Sequence, residues 1–277
     1  MENPQKYALI TGASSGIGLH FAEALSKMGY SVVAVSNQPA QLGDLKKRLE
    51  EKYRISVVTI NIDLAQENSA QLVFDYCTEQ NLIIEVLINN AGILVFGEVA
   101  SIEYPRIKSI LTLHMMTPAL LCRLFAEDMI RRGKGFILNV SSISAVMPYP
   151  HISLYGPTKA FLRNFTRALR TEIKPRGINV TALIPGATAT ALYDTGNLNT
   201  PLLIKLGIMK KPDSVANAGV RALFKNQAEC IPGFLNKLII LLLPIVPHFI
   251  ISLANRRFHH GLLSSNRLQN QITSGRQ

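Results

Sequence analysis

Short apolar runs alternate with longer helical patterns through most of the chain. Six runs rich in β-branched residues predict strands: YALITG, SVVAVS, ISVVTINI, EVLINNAG, GFILNVSS and INVTALIPG. The stretches between them carry apolar residues at helical spacing, as in HFAEALSKMGY, QLGDLKKRLEEKY and SAQLVFDYCTEQ. Apolar strands separated by helices are typical of a parallel sheet covered on both faces. We therefore predict an α/β fold with a doubly wound parallel sheet and helices on both faces.

The alternation stops near Gly186, and the end of the chain has a different character. From Ile231 onward the chain contains no acidic residue, and its basic residues are Lys237, Arg256, Arg257, Arg267 and Arg276. We predict one domain over residues 1–230 and an apolar, basic extension over residues 231–277. Prolines interrupt the apolar run before it reaches the ~20 residues of a spanning helix. Two alternatives stay open: contact with an anionic membrane surface through residues 231–260, or a homo-oligomer built on this segment.

The length and net charge of the chain limit the kinds of partner that we expect it to bind. A chain of 277 residues suits one large α/β domain. The formal net charge of +11 favours anionic partners such as nucleotides, nucleic acids or acidic lipids. The basic residues are dispersed and have no aromatic residues interleaved among them, which disfavours nucleic-acid binding.

The cysteines and the N-terminus bear on the compartment. Cys77, Cys122 and Cys230 are odd in number and lack metal-ligand spacing, so we expect free thiols in a reducing compartment and no metal site. MENPQKYALITG leads into the first strand without the pattern of a secretory signal. We expect a cytoplasmic protein, with peripheral membrane association as the alternative that residues 231–260 leave open.

A glycine-rich turn, TGASSGIG, follows the first predicted strand. Gly12, Gly16 and Gly18 would let the backbone turn tightly and let a pyrophosphate approach the amides at a helix N-terminus. The spacing departs from the G-x-G-x-x-G fingerprint. By itself, the motif also fits an ordinary strand-to-helix turn.

A second motif, YGPTK, places Tyr155 and Lys159 four residues apart. Residues at this spacing share one face of a helix. A free phenol titrates near pH ~10 and is a poor proton donor at neutrality, but a neighbouring ammonium stabilises the phenolate. The pair could therefore act as a general acid or base. An isolated pair of this kind would more often be a solvated helix face.

Taken together, these motifs resemble the short-chain dehydrogenase/reductase family. The turn T-G-x-x-x-G-x-G is followed in order by NNAG at Asn89–Gly92, NVSS at Asn139–Ser142, YGPTK and PGATAT at Pro185–Thr190. The resemblance covers roughly residues 6–190, and the apolar, basic tail is similar to that of a bacterial branch of the family. It implies a Rossmann-like fold and an NAD(P)-dependent oxidoreductase.

The resemblance also implies catalytic roles. Tyr155 would be the acid/base, Lys159 would tune it and hold the nicotinamide ribose, and Ser142 would bind the substrate oxygen. Where the family usually has Asn on its long fourth helix, this chain has His114. Its ring could hold the same proton-relaying water, or it could simply be a packed helix residue. If it serves the relay, turnover should fall as pH drops through its titration.

The end of the second strand bears on the choice of cofactor. An acidic residue there would favour NAD, but the chain has Ser36 and Asn37, which favours NADP(H) over NAD(H) although the frequent Arg is missing. The resemblance also implies that Asp63 and Leu64 lie beside the adenine and that Asn90 to Gly92 lie along the nucleotide. Asp63 could instead cap the turn after its strand. The full predicted cofactor set is Gly12, Ser14, Ser15, Gly16, Ile17, Gly18, Ser36, Asn37, Asp63, Leu64, Asn90, Ala91, Gly92, Tyr155, Lys159, Pro185, Gly186, Thr188 and Thr190.

The segments that follow the family motifs are mainly apolar and would converge on the substrate. The predicted substrate wall consists of Leu94, Val95, Phe96, Val146, Met147, Tyr149, Leu192 and Tyr193. We expect an apolar carbonyl compound or secondary alcohol, such as a 3-oxoacyl or other lipid-like molecule, although these side chains could instead pack a lid. The alternative function is a non-catalytic NADP(H) sensor that docks a membrane or partner through its C-terminal tail.

Overall fold

A computed structural model describes residues 5–146, 150–190, 209–247 and 249–253. Its centre is a seven-stranded, all-parallel sheet of strand order β3-β2-β1-β4-β5-β6-β7. The strands are β1 Lys6–Thr11, β2 Ser31–Ser36, β3 Val57–Asn61, β4 Ile83–Asn89, β5 Gly135–Val140, β6 Ile178–Leu183 and β7 Glu229–Cys230.

Helices cover both faces of the sheet. They are α1 Gly16–Ser26, α2 Pro39–Tyr53, α3 Ser69–Glu79, α4 Tyr104–Leu111, α5 Thr117–Arg132, α6 Tyr155–Ile173, α7 Pro212–Phe224 and α8 Phe234–Leu242. Helices α1, α2 and α7 pack on one face around Phe21, Leu45 and Leu223. Helices α3, α5 and α6 pack on the other face around Val73, Leu121 and Ile173. The predicted doubly wound, Rossmann-like fold is therefore confirmed.

The predicted strands correspond to β1–β6, but the prediction that the alternation stops near Gly186 is wrong. Helix α7 and strand β7 continue it and complete the sheet beside β6. Strand β7 has only two residues, too few for a recognisable apolar run. Helix α7 contains Gly219, which weakens its helical signal. A Cβ at Gly219 would lie 3.1 Å from Leu183 and 3.2 Å from Phe21, so the glycine allows close packing on the sheet.

The long fourth helix is interrupted in the middle. Between α4 and α5 the backbone forms a π-helical turn, Thr112–Met116. Pro118 lies two residues after the turn ends and has no backbone N–H to donate, which helps explain the break. The combined helix Tyr104–Arg132 is long and apolar enough to cross a membrane by composition, but more than half of its apolar window is buried in this fold. Such short π segments often lie at functional sites, and this one carries His114.

A buried polar network ties β4, β5 and α6 together beneath the strand ends. Asn89 Nδ2 donates to Asn139 Oδ1 at 2.8 Å, and Asn139 Nδ2 donates to Thr166 Oγ1 at 2.9 Å. The Cys122 thiol lies beside both amides, and burial raises its pKa to about 12. Because the three polar groups are shielded from water, losing one leaves its partners without compensation.

We predict that Asn139→Leu, which keeps the side chain's size and removes its amide, lowers the free energy of unfolding by about 1–3 kcal/mol. Urea unfolding followed by circular dichroism measures this change. Asn217→Leu on the exposed face of α7 is the matched control and should stay within about 0.5 kcal/mol of the parent. Equal stability of Asn139→Leu and the parent would show that the network contributes nothing.

Candidate active site

A cleft of about 600 Å³ opens at the carboxyl ends of the strands. It spans the point between β1 and β4 where the strand order reverses, which is where doubly wound folds bind nucleotides. All predicted cofactor residues except Gly18 line it. The cleft is also lined by residues that were not predicted from the sequence: Gln38, Ile62, Ala65, Ile93, Arg106, Ser109, Leu113, Val140 and Ser141.

The glycine turn and the NNAG segment are bound to one another at the floor of the cleft. Thr11 Oγ1 accepts hydrogen bonds from the amides of Asn90 and Ala91, at 2.9 and 3.0 Å. Gly12 has φ of +64°, and a Cβ there would lie 3.0 Å from Ala91. Gly18 lies behind the turn, where a Cβ would meet the Gly12 carbonyl at 2.0 Å. Its role is therefore close packing, which leaves the turn open to a ligand.

Two predicted nucleotide contacts have partners within the fold. Ser36 Oγ lies 2.8 Å from Ser14 Oγ, so the end of β2 is joined to the glycine turn. Asp63 lines the cleft and also accepts a hydrogen bond from the Ala65 amide at 3.0 Å. The Asp63 carboxylate therefore caps the turn and also borders the cleft; its contact with the adenine stays a prediction.

Tyr155 and Lys159 lie side by side on the first turns of α6, both buried. Lys159 Nζ is 5.7 Å from the centre of the Tyr155 ring and donates to the Val140 carbonyl at 3.0 Å. Burial lowers the pKa of Lys159 to about 8. At pH 7 the ammonium form therefore still predominates, and its positive charge faces the phenol.

The two serines of NVSS have different partners. Ser141 Oγ donates to the Lys159 carbonyl at 2.7 Å and so fixes α6 to the end of β5. Ser142 Oγ accepts the Ser144 amide at 3.1 Å. Both serines line the cleft. The structure thus gives Ser141 a structural partner and leaves the hydroxyl hydrogen of Ser142 able to donate.

His114 lies buried behind the Tyr–Lys pair, and protein groups engage both of its ring nitrogens. Its Nε2 accepts the Ile93 amide at 3.0 Å, and its Nδ1 lies 3.0 Å from Thr158 Oγ1. Thr158 Oγ1 in turn donates to the Tyr155 carbonyl at 2.8 Å. An amide can only donate, so Nε2 carries no proton and Nδ1–H donates to Thr158. This arrangement defines a neutral ring with one tautomer.

The environment keeps that ring neutral. Burial, and then the nearby charge of Lys159, hold the pKa of His114 well below its usual value. The ring also meets that of Tyr155 edge-on, with centroids 5.5 Å apart. With both nitrogens engaged, neither is available to hold a water. Of the two sequence-based alternatives, the geometry favours a packed residue that positions Ile93, Thr158 and Tyr155 over a relay residue that touches the reacting atoms.

The predicted substrate residues divide into four groups. Leu94 lines the cleft, and Val95 packs behind Tyr155. Phe96 instead lies outside the cleft wall and is 63% exposed. Its ring stacks on the ring of His151, with the two ring centroids 5.5 Å apart. Val146 is half-buried at the end of the turn that follows Ser142. Met147, Tyr149, Leu192 and Tyr193 fall outside the described residues.

Arg106 adds a basic side chain to the wall of the cleft. The sequence predicts that no Arg or Lys stands close to the reacting carbon to clamp a carboxylate or phosphate. In the structure, α4 brings Arg106 and Ser109 to the cleft wall together with Leu113. The three residues lie one helical turn apart on one face. Helical spacing could have suggested that they share a face; that the face borders the cleft follows only from how α4 packs.

We predict that the free energy of unfolding falls as pH drops below ~6.5. The unfolded chain protonates His114 there while the native chain does not, so the effect approaches about 1.4 kcal/mol per pH unit. His114→Asn should reduce this slope. Urea unfolding at a series of pH values measures the free energy of unfolding. The two proteins are compared by how steeply this free energy changes with pH, because the substitution also alters packing and so shifts its absolute value. Parallel pH curves for the two proteins would contradict a neutral, buried His114.

Comparison with known proteins agrees with the geometry. The profile of the family described as short chain dehydrogenase matches residues 6–199. The "Very-long-chain 3-oxoacyl-CoA reductase-A" of Danio rerio is 33% identical over 191 residues, covering 68% of this chain but only 59% of the relative. The chain thus spans about three-fifths of such relatives.

Two solved structures are similar over nearly their whole length. A short-chain dehydrogenase from Sphingobium yanoikuyae in complex with NADPH is 28% identical, with a TM-score of 0.75 and 94% and 95% of the two chains covered. The bulky-bulky ketone specific alcohol dehydrogenase from Comamonas testosteroni is 28% identical, with a TM-score of 0.73 and 93% of each chain covered. The chain belongs to the short-chain dehydrogenase/reductase family.

Proposed function

We propose that the protein transfers a hydride between NADP(H) and an apolar carbonyl compound or secondary alcohol. One observation carries this proposal. The buried Tyr155–Lys159 pair lies in the same cleft as the glycine turn, so a nucleotide and a reactive phenol would share one space.

The residues of this chain would handle the oxygen and the proton. When bound, the cofactor supplies or accepts the hydride. In the reductive direction Tyr155 gives its phenolic proton to the substrate oxygen, on which negative charge develops. The ammonium of Lys159 stabilises the phenolate left behind. The hydroxyl of Ser142 donates a hydrogen bond to the same oxygen.

The preference for NADP(H) rests on the end of β2. Neither Ser36 nor Asn37 is acidic, so a 2′-phosphate would meet no repulsion from them, and the exposed Asn37 side chain could hydrogen-bond to it. The NADPH complex of the Sphingobium yanoikuyae relative agrees with this preference.

The substrate class rests on the cleft and on the relatives. Leu94 lines the cleft and Val95 packs close behind, so this part of the wall is apolar. The relatives include very-long-chain 3-oxoacyl-CoA reductases and an alcohol dehydrogenase specific for bulky ketones. We infer a lipid-like carbonyl substrate. Arg106 in the wall would give an anionic part of the substrate or cofactor a positive charge to meet.

A second candidate is an NADP(H)-binding sensor that docks a membrane or partner through its tail. The exposed apolar residues of α8 favour a docking role of some kind. However, a sensor needs the glycine turn and has no use for a buried phenol beside an ammonium. Turnover separates the two candidates, because a sensor would bind NADPH without oxidising it. For the enzyme we propose a cytoplasmic location with a membrane-surface contact, and a homo-oligomer as the alternative use of the tail.

We predict that the parent protein consumes NADPH with at least one member of a panel of bulky ketones and 3-oxoacyl thioesters. Tyr155→Phe should lower kcat by about 10²–10⁴-fold, because it loses the transferable proton. The binding of NADPH, measured by calorimetry, should change little.

Tyr76→Phe, which removes an exposed phenol from α3, is the matched control and should keep full activity. NADPH binding without consumption across the panel would favour the sensor. Unchanged turnover in Tyr155→Phe would remove the phenol from the mechanism.

We also predict that Asn37→Asp raises the KM for NADPH by about tenfold, because the new carboxylate repels the 2′-phosphate. The KM for NADH should rise far less or fall. Asn37→Ala removes the amide without adding charge and serves as the comparison. Equal effects of Asn37→Asp on both cofactors would argue that Asn37 does not face the phosphate.

A further inference from the structure

Helix α8 buries a polar residue and exposes apolar ones, which is the reverse of an ordinary surface helix. Its only buried residue is polar, Asn236, whereas Phe234 is 84% exposed and Leu241 is 68% exposed. Surface helices normally turn their apolar stripe toward the core and their polar residues toward water. Within the described part of the fold, the apolar side of α8 is therefore left uncovered.

The exposed apolar surface extends past the end of α8. Ile245 is 72% exposed and Phe249 is 69% exposed, and Leu253 continues the surface. Nine of the eighteen exposed large hydrophobic residues in the described part of the chain fall within residues 234–253. We call the exposed apolar side chains of residues 234–253 the outer apolar face. A concentration of this kind marks an interaction surface.

The outer apolar face is attached to the active site. Asn236 Nδ2 donates to the Pro232 carbonyl at 2.6 Å. A Cβ on Gly186 would lie 2.4 Å from Asn236 Oδ1, so the helix packs directly on a glycine that lines the cleft. Helix α8 also contacts the turn Ile143–Val146, which follows Ser142. Helix α8 therefore lies beside the part of the cleft that Gly186 and Ser142 line.

The charge of residues 231–277 indicates which kind of partner covers the outer apolar face. Residues 231–277 contain basic residues and no acidic residue, in a chain of net charge +11. A second copy of the chain would bring the same basic segment against this one, which is unfavourable. An anionic lipid surface supplies both the apolar contact and the opposite charge. The chain's own residues 254–277 are a poor cover, because their large apolar residues are only Phe258, Leu262, Leu263, Leu268 and Ile272.

We propose that the outer apolar face docks on an anionic membrane surface beside the mouth of the cleft. Docking rests on the exposed residues and charge alone. Its consequence for catalysis, which rests on the proposed function, is that a carbonyl substrate dissolved in the bilayer reaches Ser142 and Tyr155 from the lipid side.

Vesicle sedimentation tests the docking. The parent should bind vesicles made of equal parts phosphatidylcholine and phosphatidylglycerol more tightly than phosphatidylcholine alone, and salt at about 0.5 M should weaken binding. The double variant Leu241→Asn/Ile245→Asn should bind about tenfold more weakly or worse. The matched control is Leu72→Asn/Leu120→Asn, which removes exposed leucines from α3 and α5 and should bind as the parent does.

A variant that changes only charge tests vesicle binding even if the double variant folds poorly. Lys237→Glu reverses an exposed charge on α8 without touching an apolar residue, and should weaken binding to anionic vesicles several-fold. Parent protein that binds neither kind of vesicle overturns the proposal. So does a double variant that binds as well as the parent, or a parent dimer that the double variant dissociates without any vesicle binding.

Activity assays separate this inference from the proposed function. NADPH consumption with a soluble ketone, without vesicles, should be the same in the parent and in Leu241→Asn/Ile245→Asn. Consumption with a vesicle-dissolved 3-oxoacyl substrate should fall only in the variant. Vesicle binding without any NADPH consumption would support docking and overturn the proposed reaction. Consumption without vesicle binding would support the reaction and overturn docking.

Discussion

The site depends on one buried charge, the ammonium of Lys159 beside the ring of Tyr155. Removing an ammonium from water costs several kcal/mol, and burial lowers the pKa of Lys159 to about 8. The Val140 carbonyl at the end of β5 accepts one of its hydrogen bonds. Ser141 binds the Lys159 carbonyl, so the strand end holds both ends of this residue. The sheet thus fixes a charge that an unsupported helix would turn toward solvent.

A fixed charge also restricts what can stand behind it. Burial disfavours a second cation in the same dry region, and repulsion by Lys159 adds to this effect, so His114 is accommodated there as a neutral ring. Its two hydrogen bonds connect the NNAG segment, through Ile93, to α6, through Thr158. A Cβ on Gly92 would lie 3.0 Å from Nε2, so the glycine makes room for the imidazole. The π-helical turn supplies the backbone position from which the ring reaches both partners.

The sequence predicted those parts of the molecule that short segments specify. Strands β1–β6 carry dense apolar runs, and the residues of each motif are adjacent in the chain. Contacts between distant segments were not predictable: His114 bonds a residue 21 positions away and another 44 positions away. The position of Arg106 depends on the packing of α4, and that of Phe96 on a stack with His151. Strand β7 was missed because two residues at a sheet edge carry no periodic signal.

The contacts of the buried Asn236 explain why the apolar side chains of α8 face outward. Asn236 Nδ2 donates to the Pro232 carbonyl, and its side chain fills the space above Gly186. Rotating the helix to bury its leucines would remove both contacts and uncover Gly186. The fold therefore fixes the orientation in which the apolar side faces outward. Because Gly186 also lines the cleft, α8 packs directly against the wall of the site. A bilayer is an occupant that could also hold a lipid-like substrate at high local concentration, so docking and substrate supply would share one surface.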